Sequence, residues 1–190
     1  YNHMAKIHFE SGGNVKVPMV LTTAVGGGYS DAAQHSQCLW GLFGHLPGMK
    51  VVAPSNAYDA KGLLKAAVRD GNPVLMFEHK LLYGSKGTRA ETGAIDATSD
   101  IPDEDYTVPL GSASVKREGS QVTILAWLLM VHIAGTAVER LAAQGIDAEL
   151  IDVRSLAPID WDVIGQSVQK TGRVVIVEEG PITGGVAAEL

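Results

Sequence analysis

"GHLPGMKVVAPSNAYDAKGLLKAAVRDGNPVLMFEH", from Gly44 to His79, decides the fold class. "MKVVAP" is a short apolar run closed by Pro54, which reads as a buried strand. Ser55 or Asn56 then offers a side-chain cap. Ala60, Leu63, Leu64, Ala67 and Val68 follow at the spacing of one helix face. Gly71 and Pro73 stop that helix, and "PVLMFEH" begins another apolar strand at once. A strand, a helix and a strand joined by such short links argue for a parallel sheet covered by helices. The expected class is α/β.

The same alternation extends outward. Upstream, "YNHMAKIHFE" has helical spacing and stops at Gly12-Gly13, while "VPMVLTT" reads as a short strand with Pro18 confined to its start. A loop from Ala24 to Gln34 leads to a helix expected over about Ser36–Gly44. Downstream, the pattern lapses from about Lys80 to Pro109 into a polar stretch rich in Gly, Asp and Thr, the mark of a functional loop or linker. "SASVKREGSQVTILAW" then reads as a hairpin turning at Glu118-Gly119. Helix "VHIAGTAVERLAAQG", strand "DAELIDV", helix "DWDVIGQSVQKTG" and strand "RVVIVEE" complete a second α/β unit. Tyr1 opens a helical pattern with no cap before it, and "GGVAAEL" reads as the first turns of a helix. A segment of a longer subunit is therefore expected.

Composition narrows the function classes. At 190 residues and 46% hydrophobic the chain can fill a sizeable core. A net charge of −6 with scattered Lys and Arg argues against nucleic acid, whose phosphates require clustered cations. No apolar run approaches a membrane span and no signal-peptide pattern opens the chain, so no membrane partner is expected. The single cysteine, Cys38, leaves no internal disulfide and suits a reducing compartment. The expected location is the cytoplasm, or the mitochondrial matrix or plastid of a eukaryote.

Familiar chemical signatures are missing: no P-loop, no G-x-G-x-x-G after a strand, no H-E-x-x-H and no G-x-S-x-G elbow. What remains is a glycine cluster after a strand, "VGGGYSD" (Val25–Asp31), that could let backbone approach a ligand or simply turn. His35 follows, where the loop becomes a helix. Its segment can be a polar cap in which Ser36 accepts backbone N–H groups. Alternatively, it can aim a histidine able to exchange protons near neutral pH. The residues alone leave both readings open, the cap being the more ordinary. His45 reads as a helix C-terminal or core histidine, and Cys38 as a small buried hydrophobe. Glu178-Glu179-Gly180 ends a strand, where α/β proteins often place sites, but a solvated strand end accounts for it equally well.

"AAQHSQ" (Ala32–Gln37), the stretch from Gly44 through "FEHKLLYG", "VTILAW" and "DAELIDVRSLAPIDWDVIGQSVQKTGRVVIVEEGPITGG" together resemble a known family. It is the β subunit of the thiamine-diphosphate-dependent decarboxylase component of 2-oxo acid dehydrogenase complexes, which includes pyruvate, branched-chain and acetoin members. The resemblance covers essentially the whole chain. It implies a transketolase-like architecture: the later part of a pyrimidine-binding domain over residues 1–90, a linker over 91–108, and the start of a C-terminal domain over 109–190. It also implies an α2β2 assembly with an α subunit, a second β subunit and a lipoyl-bearing acyltransferase core as partners. Thiamine diphosphate and Mg2+ would be shared with the α subunit, and the glutamate that activates the aminopyrimidine would lie before Tyr1. The chain alone is thus expected to be inactive.

The resemblance further implies that His35 faces the reactive end of the cofactor and assists acyl transfer to lipoyl, with Ser36 and Gln37 fixing the turn that aims it. It places a structural K+ at the end of the central helix, among the oxygens of Met19, Ala67, Val68, Asp70 and Asn72. On local sequence alone the ordinary C-cap, with water on its converging carbonyls, is the preferred reading of that helix end, and only the resemblance favours the ion. The loop "TTAVGGGYSD" is richer in glycine than its pyruvate-type counterpart, and "FEHKLLYG" is as close to the acetoin and branched-chain members. The acyl group therefore stays open between the three types. A β-like subunit that binds partners without catalysing is the alternative class.

Overall fold

The computed structural model describes residues 1–30, 32–83 and 95–190. Asp31 and Gly84–Ala94, the latter within the polar stretch noted above, lie outside the described residues. Helix α1 (Asn2–Glu10) is followed by strand β1 (Val20–Val25), a 3₁₀ turn (Ala33–His35) and a short helix α2 (Trp40–Gly44). Then come β2 (Lys50–Val52), α3 (Ala57–Arg69) and β3 (Val74–His79). β1 and β2 both pair parallel to β3, with Val20 and Lys50 each beside Val74. The strand–helix–strand reading of Gly44–His79 therefore holds. Asn56 is the cap: its side-chain oxygen accepts the Asp59 N–H at 2.9 Å, satisfying one of the free donors of the first turn.

The second half holds β4 (Ser114–Arg117), β5 (Val122–Ala126), α4 (Leu129–Ala142), β6 (Ala148–Asp152), β7 (Ser155–Ala157), α5 (Trp161–Thr171) and β8 (Val174–Val177). Its sheet runs β4-β6-β5-β8, with β5, β6 and β8 parallel and β4 antiparallel at one edge. α5 is capped at both ends, by the Asp160 side chain on Val163 N–H and by Gly172 in the left-handed region.

Four expectations need correction. β4 and β5 form no hairpin, because β6 inserts between them and pairs with both. The connection passes hard against the start of β6: a Cβ on Gly119 would stand 2.3 Å from the Ala148 backbone. β5 is buried almost throughout, and a central strand needs a partner on each edge. α2 begins at Trp40 rather than near Ser36, and the residues before it form the 3₁₀ turn. The apolar face of α3 is narrower than its spacing suggests: Leu63 and Ala67 are buried, whereas Leu64 and Val68 are exposed. They sit one residue, about 100° of helix, round from the buried stripe. The end of the chain forms a 3₁₀ turn, Val186–Ala188, in place of an opening helix.

One strand ties the halves together. β7 leaves the second half and pairs antiparallel with β2, so the first sheet reads β1-β3-β2-β7. A shared core follows, in which Val25, Trp40, Val51 and Phe77 pack with Leu125, Trp127, Ile151 and Ile164. The described part of the polar stretch is also packed rather than loose. Tyr106 stacks on Tyr58 at 4.5 Å, and Val108 is buried against Gly62 of α3, where any Cβ would clash.

Buried charge reinforces the junction. Asp59 of α3 accepts from Arg154 Nη1 at 2.7 Å and from Lys116 Nζ at 3.2 Å. Asp152, at the end of β6, accepts from Ser55 Oγ at 2.5 Å and from the Arg154 N–H at 3.1 Å. Burial pushes the Asp152 carboxyl up to about 6, against the opposing pull of Ser55 and Lys116. A raised acid pKa means the folded state holds this proton more tightly than the unfolded chain. The stabilisation is complete below about pH 4 and is lost as pH rises towards 6. Asp152→Asn should therefore gain stability relative to the parent as pH rises from 4 to 6, by on the order of 2 kcal/mol. Thermal melts of the two proteins across that range give the comparison, and parallel curves would refute it.

Candidate active site at the domain junction

The glycine cluster lies where β1 leaves the first sheet, beside the end of β3. Gly26 has φ of +94°, and a Cβ there would stand 2.0 Å from His79 Nε2. Only glycine fits both the conformation and the space. His79 is fully buried below it. Its Nδ1 accepts the Leu81 N–H at 3.2 Å, which leaves the proton on Nε2, and Nε2–H donates to Glu179 Oε2 at 2.6 Å. The other oxygen of Glu179 accepts the Gly27 N–H at 3.3 Å. Burial raises the Glu179 carboxyl, but the hydrogen bonds from His79 and the Gly27 amide outweigh it and hold the group below the usual carboxylate range.

The residue after β3, which opens a 3₁₀ turn over Lys80–Leu82, reaches the histidine loop. Lys80 is buried, donates to the His35 carbonyl and lies 5.9 Å from the Tyr29 ring. His35 closes the 3₁₀ turn and is exposed at the rim of a cavity of about 430 Å³. Leu21, Leu75, Phe43 and Phe77 supply apolar lining, and Thr22, Thr23, Gln34 and Gln37 supply polar groups. Ser30 and Ala32 both have φ near +61°, a conformation costly for residues with a Cβ and concentrated at functional sites. Ser36 does not accept N–H groups as a helix cap. Its hydroxyl donates to the Ala32 carbonyl at 2.8 Å, because the turn ends at Ser36 and the helix starts four residues later.

Past the loop, Cys38 is half-buried and its thiol is pushed up to about 12, by burial first and then by Glu179. It is an inert packing residue, as its position in the chain suggests. His45 is exposed at the end of α2, so the core alternative for it falls away. The Trp40 indole N–H donates to Glu178 Oε2 at 2.6 Å, and the Ala187 N–H donates to Oε1 at 2.9 Å. Glu178 and Glu179 are thus no solvated strand end. Local sequence could not decide this, because their partners lie between 9 and 152 residues away.

At the end of α3, hydrogen bonds within the chain engage several of the expected cation ligands. Val17 N–H donates to the Gly71 carbonyl, which draws the segment leading to Met19 toward this turn, and Val74 N–H donates to the Met19 carbonyl. The Ala67 carbonyl accepts the Asp70 N–H, and Val68 lies on the same last turn. Asp70 accepts from Lys50 Nζ at 2.5 Å and from the Asn72 backbone and side chain, both at 2.8 Å. Burial raises the Asp70 carboxyl, but Lys50 and Asn72 outweigh it and lower it below the ordinary range. Among the described residues no group of three or more His, Cys, Asp or Glu side chains converges as a metal site.

Residues 1–86 match the pyrimidine-binding domain of transketolase, and residues 111–190 match the transketolase C-terminal domain. The chain belongs to the transketolase-like family. Among curated relatives it is 43% identical to the acetoin:2,6-dichlorophenolindophenol oxidoreductase subunit beta of Cupriavidus necator, over 100% of this chain and 53% of that protein. It is 44% identical to the pyruvate dehydrogenase E1 component subunit beta of Cyanidium caldarium, over 100% of this chain and 54% of that protein. With the 2-oxoisovalerate dehydrogenase subunit beta of Bacillus subtilis it shares 42% identity, over 98% of this chain and 54% of that protein. The chain therefore spans about half the length of the relatives it matches. A solved split-gene transketolase, described as an inactive beta4 tetramer, superposes with a TM-score of 0.69 at 27% identity. That match covers 98% of this chain and 57% of the other.

The family explains why a two-sheet chain carries its polar loop at the junction of two domains. His79, Lys80 and Trp40 escaped notice in the sequence because no local motif marks them. Glu178 and Glu179 were visible only as a strand end. Gly26→Ala should drive the His79 ring off Glu179 and destabilise the fold by roughly 2–3 kcal/mol, from positive-φ strain plus the clash. A thermal melt together with the imidazole NMR signals of His79 tests this, and an unmoved ring would refute it.

Proposed function

We propose that the chain is part of the β subunit of a thiamine-diphosphate-dependent 2-oxo acid dehydrogenase. It would work with an α subunit and a second β subunit in an α2β2 assembly that passes its acyl group to a lipoyl-bearing acyltransferase core. The observation that carries this reading is His35, held by Lys80 at the rim of a half-apolar cavity in a family member. The apolar lining and polar residues of that cavity fit an aromatic heterocycle of the aminopyrimidine type. Thiamine diphosphate, when bound, supplies the carbanion chemistry of decarboxylation, and Mg2+ holds its diphosphate. This chain would supply His35, which moves a proton or orients the incoming lipoyl group. The identities to acetoin, pyruvate and 2-oxoisovalerate relatives lie within two percentage points of each other, so they favour none of these three substrate types over the others.

K+ is part of the same proposal, held by carbonyls of Met19, Ala67 and Val68 with oxygens of Asp70 and Asn72, as a brace for the helix end. The Val17 N–H on the Gly71 carbonyl, which draws the segment leading to Met19 toward this turn, supports it. Replacing K+ by a bulky organic cation should lower the melting temperature of the assembly, and an unchanged value would remove the site.

Reconstitution of the full-length subunit with its α partner, assayed on pyruvate, 2-oxoisovalerate and acetoin, tests the class and picks the substrate. His35→Ala in that assembly should lower acyl transfer to lipoyl by roughly 10²–10⁴-fold while leaving cofactor affinity nearly intact. Unchanged turnover would remove the role.

A further inference from the structure

Two consecutive carboxylates of the second domain grip opposite ends of the segment that carries His35. At its start, Glu179 accepts the Gly27 N–H and, with its other oxygen, the buried His79 imidazole. At its end, Glu178 accepts the Trp40 indole N–H. Between Val25 and Trp40 the described residues contain no helix or strand beyond one 3₁₀ turn, so the segment depends on such outside ties. Lys80 supplies one at the middle, on the His35 carbonyl.

The grip is built rather than incidental. Glu178 is wrapped on both sides by backbone that leaves no room for a side chain: a Cβ on Gly185 would stand 2.4 Å from its Oε1, and one on Gly180 would stand 2.7 Å from its Oε2. Trp40 is itself buried, with Trp127 and Phe77 each edge-on to it at 6.0 Å. The two carboxylates fix two separate points of the loop, one on either side of the Lys80 tie.

We propose that Glu178 and Glu179 are positioning residues that hold the two ends of the His35 loop, so that the second domain takes part in the site without offering a reacting group. This deepens the proposed function and rests on the role given there to His35. Glu178→Gln and Glu179→Gln keep size and one acceptor oxygen, but each leaves one donor facing an amide NH2.

The full-length labelled subunit gives the first readout. The Trp40 indole signal should shift and exchange about 10-fold faster in Glu178→Gln, and the Gly27 amide should do the same in Glu179→Gln. In the α/β assembly each variant should lose roughly 10- to 100-fold in kcat for acyl transfer to a lipoyl domain. KM for the 2-oxo substrate and thiamine diphosphate affinity should stay within about twofold of the parent. Unmoved signals overturn the proposal. So does an unchanged kcat with moved signals, or an equal loss of cofactor affinity, which marks a merely structural role. If the Glu variants do not fold, Trp40→Phe removes the donor while keeping an aromatic ring, and an unchanged kcat there overturns the proposal as well. If the parent assembly turns over none of pyruvate, 2-oxoisovalerate and acetoin, the functional reading falls, and the Trp40 and Gly27 signals still decide whether the carboxylates hold the loop.

Discussion

The buried hydrogen bond between His79 and Glu179 is the constraint around which the junction is arranged. A fully buried imidazole must find partners for both ring nitrogens, and here one partner is local backbone while the other is a carboxylate 100 residues away. That requirement fixes β3 of the first sheet against the end of β8 in the second. It also dictates glycine at position 26, because the ring occupies the volume a side chain would need. The glycine cluster is therefore as much a consequence of packing as a means of approaching a ligand.

The remaining junction contacts obey the same logic of buried groups needing partners. Asp59, Arg154, Lys116, Asp152 and Ser55 form a second network across the junction. Buried ion pairs give little net stability, since desolvation offsets their attraction, but breaking one leaves an uncompensated charge. Their effect is on geometry: alternative dockings of the two halves would strand several charges at once. β7 adds a backbone version of the same constraint by donating a strand from one half to the sheet of the other. The result is a seam of buried contacts beside an irregular loop, which suits the aiming role proposed for His35.

Much of the fold was legible in the sequence. The strand–helix–strand unit of Gly44–His79, the cap at Asn56 and the stops at Gly12-Gly13 and Pro73 all rest on interactions within a few residues, and local composition encodes those directly. The α/β class and the order of helices and strands follow from the same periodicities. His35 was legible as a candidate because it stands out chemically at a loop edge, and the family resemblance gave it a role.

Tertiary structure alone decided how distant segments met. β4 and β5 read as a hairpin because they are adjacent in sequence, but β6 separates them, since a buried central strand gains more from two neighbours than from a short turn. Ser36 read as a cap because its residue type favours one, yet the helix begins elsewhere and its hydroxyl turns back to Ala32. Leu64 and Val68 read as core because hydrophobicity marks a face without saying how much of it is covered. Glu178 and Glu179 were left open between a site and a solvated strand end because nothing within several residues could show that Trp40 and His79 would meet them. Local chemistry sets which conformations each segment prefers, whereas long-range pairing depends on the whole chain's burial and charge balance, and only the folded molecule resolves that.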